Sequence, residues 1–327
     1  MKKRIVIVFT GGTISMEIDE SMEAAVPSKK GEALIKRIQE FSDIAELSFD
    51  HFLSVPSPYI SISDMLSLSR RVKSHLADPN TDGVIITHGT DTMEETAYFL
   101  DLNIHNDKPI ILVGSMRNIS ELGYDGPSNL VAALRTAISD EAKGRGVLVV
   151  MNNDINAANE VMKTHTMALD TFKSLEFGPL GIVDHDKVIF YRNSTHRRLH
   201  IPADRVEERV FLIKLAAGMD GELIDYAVNQ KAKGIVIEAL GRGNVPPQVV
   251  PSIKRAIEEG IYVILVSRCP MGRIADTYGY VGGSKHLKSL GVIFGYNLSG
   301  QKARIQLMLG LGYRQDPDYI RSIFEME

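Results

Sequence analysis

Four short runs constrain this chain more than anything else in it: RIVIVF (residues 4–9), DGVIITH (82–88), KPIILVG (108–114) and RGVLVVMN (145–152). Each is apolar without alternation and rich in Val and Ile. A strand with one face in water alternates, so unbroken runs of this length belong to strands covered on both faces. The covering material lies between them, where helical spacing marks residues 31–41, 63–76 and 127–138. In the second of these, Met65, Leu66, Leu68, Val72 and Leu76 share one side, and Ser63 with Asp64 supplies a helix start. Strand and helix in alternation imply an α/β fold with a larger N-terminal, doubly wound, mostly parallel sheet. Such sheets bind ligands beyond the carboxyl ends of their strands, at a switch point in strand order.

The stretch 191–209, YRNSTHRRLHIPADRVEER, is polar, basic and without period, and reads as a linker. Alternation then resumes with RVFLIKL, a helix near 222–232, GIVIEAL, a helix over 247–259 and IYVILVS. A chain of 327 residues accommodates two domains at about 150 residues each. The expected organisation is an N-terminal domain over 1–190, a linker over 191–209 and a smaller C-terminal α/β domain over 210–327.

A net charge of −4 disfavours nucleic acid as the main partner, because phosphate binding asks for a basic face. Cys269 is the single cysteine, so neither an intrachain disulfide nor a cysteine metal cluster can form. The apolar stretch from Ile5 to Phe9 is too short for a signal sequence, and no run approaches a membrane span. The expectation is a soluble, cytoplasmic protein with a small-molecule ligand and no membrane partner.

Two loops at strand ends carry hydroxyl groups and glycine. TGGTIS (10–15) is neither a dinucleotide fingerprint nor a P-loop; its glycines permit a tight turn, after which Thr13 is presented. Alone, such a turn is more often structural than catalytic. THGTDT (87–92) is richer: a strand ends near His88, Gly89 allows a sharp turn, and Thr90 and Asp91 stand at its tip. Thr92 and Glu95 have capping-box spacing for the helix that follows. The functional reading is that Thr13, Thr90 and Asp91 face one crevice. His88 has no partner at metal-ligand spacing. Lys163 is a surface lysine unless the fold brings it to that crevice, where it becomes a base for a threonine. A threonine hydroxyl needs such a base, an orienting partner and an oxyanion hole.

With these residues in view, the sequence resembles the bacterial-type L-asparaginases. The resemblance rests on TGGTIS, DGVIITHGTDTMEETAYFLDL and MRNISELGYDGPSNLVAAL, then on RGVLVVMN, KTHTMALDTFKSLEFGPLG, GRGN, SRCPMG and SGQKARIQLML, in that order along essentially the whole chain. It implies hydrolysis of the asparagine side-chain amide to aspartate and ammonia, with some glutaminase activity and no cofactor or metal. It also implies a homotetramer or homodimer whose sites are completed between subunits. By motif position Thr13 resembles the nucleophile, and Thr90, Asp91 and Lys163 a hydroxyl–acid–lysine triad. Gly89 adjoins the substrate site, Asp91 would also hold the substrate α-amino group, and Asn244 resembles the residue that reaches a neighbouring site.

Three departures from the family pattern bear on substrate. The segment 16–30, expected to be a lid, contains no tyrosine, where many members carry one that activates the nucleophile. Tyr59 and Tyr278 are unranked replacements. In SPYISISDM the position of the serine that takes the substrate α-carboxylate is Ile62, flanked by Ser61 and Ser63 as alternatives. The segment TYGYVGGSKHLKSLG lacks the acid that many extracytoplasmic members contribute between subunits. Alternatives to asparaginase are therefore hydrolysis of a different amide, and asparagine binding without turnover.

Overall fold

The structure is a computed structural model and describes residues 2–19, 24–27, 43–194 and 199–325. The helix expected over 31–41 lies outside the described residues. The chain divides into two compact units, Met1–His200 and Ile201–Glu327, with the division falling inside the 191–209 stretch.

In the first unit, β1 (Arg4–Gly11) leads into a short antiparallel ribbon of β2 (Met16–Asp19) and β3 (Ala24–Pro27). Then follow β4 (Glu46–Val55), α1 (Ile62–Ala77), β5 (Gly83–Thr87), α2 (Met93–Asn103), β6 (Ile110–Val113), α3 (Gly126–Ile138) and β7 (Val147–Met151). The unit closes with β8 (Asp154–Ala157), β9 (Met162–Lys163), β10 (Phe172–Lys173), β11 (Gly181–Asp184) and β12 (Lys187–Phe190).

Eight of these strands form one sheet in the order β12-β11-β8-β7-β6-β5-β1-β4. The pairs from β4 through β7 are parallel, and the three pairs beyond β7 are antiparallel. The runs read as doubly covered are so: β5, β6 and β7 are buried at every residue. β4 is the sheet edge, and its burial alternates. The chain leaves β1 for β4 on one side and returns to β5 on the other, so the strand order reverses at β1. The carboxyl ends of β4, β1 and β5 therefore open side by side at a switch point.

The main core lies between this sheet and α3, with Ile5, Ile7, Ile14, Ile85, Ile111 and Leu130 fully buried in it. α1 starts at Ile62, one residue before the expected Ser63. Its N-cap is Ser61, which accepts from Asp64 N while the Asp64 carboxylate receives the Ser61 N–H, a complete capping box. The Thr92/Glu95 box is absent: Thr92 makes no side-chain cap bond, and its hydroxyl donates to the Ser57 carbonyl at 2.9 Å.

The second unit holds a parallel sheet β13-β14-β15-β16 of Val210–Lys214, Gly234–Ala239, Tyr262–Ser267 and Ile293–Phe294. Its helices are α4 (Glu222–Asn229), α5 (Val250–Glu258), α6 (Ser284–Ser289), α7 (Gly300–Tyr313) and α8 (Pro317–Phe324). A separate core, including Ile224, Ile235, Ile253, Leu265 and Leu287, packs inside it. The architecture is thus a large mostly parallel sheet domain followed by a smaller α/β domain. Among the described residues no helix is long and apolar enough to cross a membrane.

Candidate active site

Three loops meet at the switch point because three adjacent strands end there. β1 runs into Gly11 and Gly12, whose φ angles of 105° and 85° only glycine adopts without strain. Gly12 N donates to Val55 O at 3.1 Å, tying this turn to the end of β4. Thr13 follows in a short 3-10 segment, Thr13–Ser15. A Cβ on Gly12 would overlap the Gly89 nitrogen, so the turn before Thr13 lies flat against the turn before Thr90.

Thr90 and Asp91 follow β5. Lys163, carried on β9, donates through Nζ to Thr90 Oγ1 at 2.9 Å and to Asp91 Oδ1 at 2.6 Å. Residues 73 and 72 positions apart in sequence thus form one hydroxyl–amine–carboxylate array. Its members differ in exposure in a way that matters for chemistry. Thr90 is 7% exposed and the Lys163 side chain 16%, whereas the Asp91 side chain is 61% exposed. Thr90 is buried and Lys163 partly so, whereas the open carboxylate faces solvent or a ligand.

Lys163 is held by its backbone, whose N–H donates to the Glu94 carboxylate on α2. The loop joining β9 to β10 is closed by its own polar groups. Thr164 N and Oγ1 both donate to Thr171 O, and Met167 N and Ala168 N donate to His165 Nδ1 at 3.0 and 3.1 Å.

The third strand end supplies a residue that sequence reasoning passed over. Ser57 follows β4 and is buried; its Oγ accepts from Asp91 N at 3.2 Å and lies 2.8 Å from where a Gly89 Cβ would stand. Ser61 and Ser63 are elsewhere engaged. Ser61 caps α1, its hydroxyl contacts Asp64 Oδ2 at 2.6 Å and Ser63 Oγ at 2.8 Å, and both serines are exposed. Ile62, on which the carboxylate question turned, is the first residue of α1. The signal for Ser57 lay in its position immediately after a strand, the same position that marks Thr13 and Thr90.

His88 is fully buried, and burial pushes its imidazole down to about 4. Its nitrogens contact Gly89 O at 2.7 Å and Thr96 Oγ1 at 2.9 Å, so it braces the Thr90 turn from within. Among the described residues no group of three or more His, Cys, Asp and Glu is placed to hold a metal.

Of the two tyrosines weighed as replacements, Tyr59 is 75% exposed beside Ser57, and Tyr278 belongs to the second unit. Asn244 is also in that unit, in a turn bridged by Leu240 N to Asn244 O; its Oδ1 is buried without a hydrogen-bond partner.

Comparison with known proteins identifies the family. Residues 4–196 match the family model described as Asparaginase, N-terminal, and residues 209–324 match the Glutaminase/Asparaginase C-terminal domain. An L-asparaginase of Bacillus licheniformis is 36% identical, over 94% of this chain and 95% of that protein. A glutaminase-asparaginase of Acinetobacter glutaminasificans is 34% identical over 99% of each. The crystal structure of a probable cytoplasmic L-asparaginase from Campylobacter jejuni superposes with a TM-score of 0.88 at 34% identity, covering 100% of both chains.

Fold and matches together define an amidohydrolase, an enzyme that cleaves a carbon–nitrogen amide bond with water. The chain belongs to the bacterial-type L-asparaginase family.

Proposed function

We propose that the protein hydrolyses L-asparagine to L-aspartate and ammonia through an acyl-threonine, with glutamine as a slower substrate. The observation that carries this reading is the Lys163 amine between Thr90 Oγ1 and Asp91 Oδ1, two residues of the turn whose Gly89 backbone meets Gly12 of the Thr13 turn.

In this reading Thr13 Oγ adds to the side-chain carbonyl carbon. Backbone N–H groups of the glycine-flanked Thr90 turn receive the oxyanion. The Thr13 proton passes to the leaving nitrogen, the C–N bond breaks and ammonia departs. Water then adds to the ester, and its cleavage returns the Thr13 hydroxyl and releases aspartate. Thr90 and Lys163 line the path of this water's proton, which is returned to the Thr13 oxygen as the ester C–O bond breaks.

The free face of Asp91 takes the substrate ammonium, and the Ser57 hydroxyl takes the α-carboxylate in place of the Ser61 and Ser63 alternatives. Ser57 is the buried serine beside the Gly89–Asp91 turn, and a charged acceptor rewards such a donor by about 1.5–3 kcal/mol.

By motif position Asn244 resembles a residue that reaches a neighbouring subunit's site, which supports assembly into a homotetramer or homodimer. The Campylobacter relative's cytoplasmic designation supports the same location here.

Ammonia release from asparagine, glutamine and a panel of other amides tests the proposal, with Thr13→Ala and Thr90→Val as controls. Release from asparagine that both substitutions abolish is the expected result. Release from another amide alone would redirect the substrate assignment, and none above the mutant background would end the enzymatic reading.

A further inference from the structure

The turn that carries Thr13 is short. Its 3-10 segment closes on one backbone bond, Met16 N to Thr13 O. On the strand side it is fixed by Gly12 N on Val55 O. On the far side the Ile14 carbonyl receives the phenolic hydroxyl of Tyr124 at 2.6 Å, across 110 residues of sequence. The Ile14 side chain is fully buried in the main core, so the residue after Thr13 is held at both its side chain and its carbonyl.

Tyr124 can hold Ile14 because Tyr124 is itself held. The ring folds back over Gly126, where a Cβ would overlap the phenolic oxygen. The neighbouring Asp125 carboxylate accepts from Met116 N and Arg117 N, both at 3.0 Å, and from Asn129 Nδ2 at 2.9 Å. Asn129 is buried, donates to Gly114 O at 3.0 Å and accepts from Asn152 N at 2.9 Å. A polar chain therefore runs from the ends of β6 and β7 through Asn129 and Asp125 to the loop that bears Tyr124. That loop bridges to the turn a second time, through Ile119 N to Met16 O at 3.3 Å.

We propose that Tyr124 is a positioning residue for Thr13, its hydroxyl fixing through the Ile14 carbonyl the orientation from which the Thr13 oxygen attacks. The proposal rests on Thr13 being the nucleophile. Ser57 and Asp91, which hold the substrate's α-groups in that reading, sit on other strand ends. Asp91 N donates to Ser57 Oγ and Thr92 Oγ1 to Ser57 O, bonds independent of Tyr124, so loss of the anchor acts on the Ile14 side of the Thr13 turn and leaves substrate binding in place. Misplacement by a fraction of an ångström lowers the rate of attack without changing the ground-state complex.

Tyr124→Phe deletes the one oxygen and keeps the ring. The expected result is a kcat for asparagine reduced about five- to twentyfold, with KM within twofold of wild type. The thermal midpoint stays within about 3 °C, in line with loss of a single hydrogen bond. Hydrogen–deuterium exchange of the peptide spanning residues 9–16 rises several-fold and independently reports the anchor.

A kcat within about 1.5-fold of wild type, a barrier change of only about 0.2 kcal/mol, overturns the proposal. So does a kcat loss matched by a KM rise, or unchanged exchange of the 9–16 peptide. If the wild type hydrolyses no amide, it is the functional reading that fails, and the exchange measurement alone decides whether Tyr124 fixes the turn.

Discussion

Gly12 and Gly89 meet backbone to backbone, so the turn before Thr13 and the turn before Thr90 are a single packed unit. Gly12→Ala puts a methyl group into the Gly89 backbone at a φ of 85°, so strain and overlap act together. The expected outcome is an activity loss of at least about a hundredfold and destabilisation by about 2 kcal/mol or more. Ammonia release and urea denaturation of the same preparation check it. An active, fully stable Gly12→Ala enzyme would mean the two turns are not in contact.

Lys163→Met keeps a long unbranched side chain and removes the amine shared by Thr90 and Asp91. Loss of a proton relay lowers kcat by about 10²- to 10⁴-fold. The fold should persist, because the Lys163 backbone bond to Glu94 remains. Steady-state kinetics with circular dichroism tests both halves; retained turnover would remove the lysine from the mechanism.

Ser57 and Ser61 separate by opposite signatures. Ser57→Ala raises KM for asparagine about ten- to hundredfold, the effect of withdrawing a donor from a carboxylate. Ser61→Ala breaks a helix cap, costs about 1 kcal/mol of stability and leaves KM unchanged. Kinetics and denaturation on the two variants decide the matter, and the reverse pattern would return the carboxylate role to the start of α1.

His88 makes the fold sensitive to acid. Burial depresses its folded pKa from 6.5 to about 4, so between those values the unfolded chain binds a proton that the folded chain refuses. Stability is therefore complete above about pH 6.5 and falls as pH drops toward 4, by an amount on the order of 3 kcal/mol. His88→Gln, which can still bond on both sides, should lack this slope. Urea midpoints for both proteins from pH 7.5 to 4.5 measure the difference, and parallel curves would dismiss the imidazole as the cause.

The sheet was legible because β5, β6 and β7 are buried on both faces and must be written as unbroken Val and Ile. β4 was not, since an edge strand with alternating burial reads ELSFDHFLSV, polar enough to pass as loop. Missing β4 hid Ser57, which is recognisable only as the residue beyond that strand's end. Thr13, Thr90 and Asp91 stood out because glycine and hydroxyl residues interrupt apolar runs. Lys163 carries no local mark at all: its contacts depend on a two-residue strand whose placement comes from Glu94 and from tertiary pairing. The Thr92 cap failed for a related reason, because the Ser57 carbonyl competes successfully for its hydroxyl. Tyr124 was visible as a residue, but nothing in the sequence ties it to Ile14.

The ribbon of β9 and β10 has only two residues per strand, with Phe172 buried opposite Lys163, and its connecting loop is closed by threonine and histidine side chains. Segments held this way open locally at a small fraction of the global unfolding free energy. The lysine therefore adjoins a loop held by side-chain hydrogen bonds, whereas the strands beside it are buried on both faces. Heating should disarm the enzyme before it melts, with turnover failing reversibly at temperatures where circular dichroism still reports an intact sheet. Thermal robustness of catalysis would then be raised by bracing residues 164–171, with the large core left untouched.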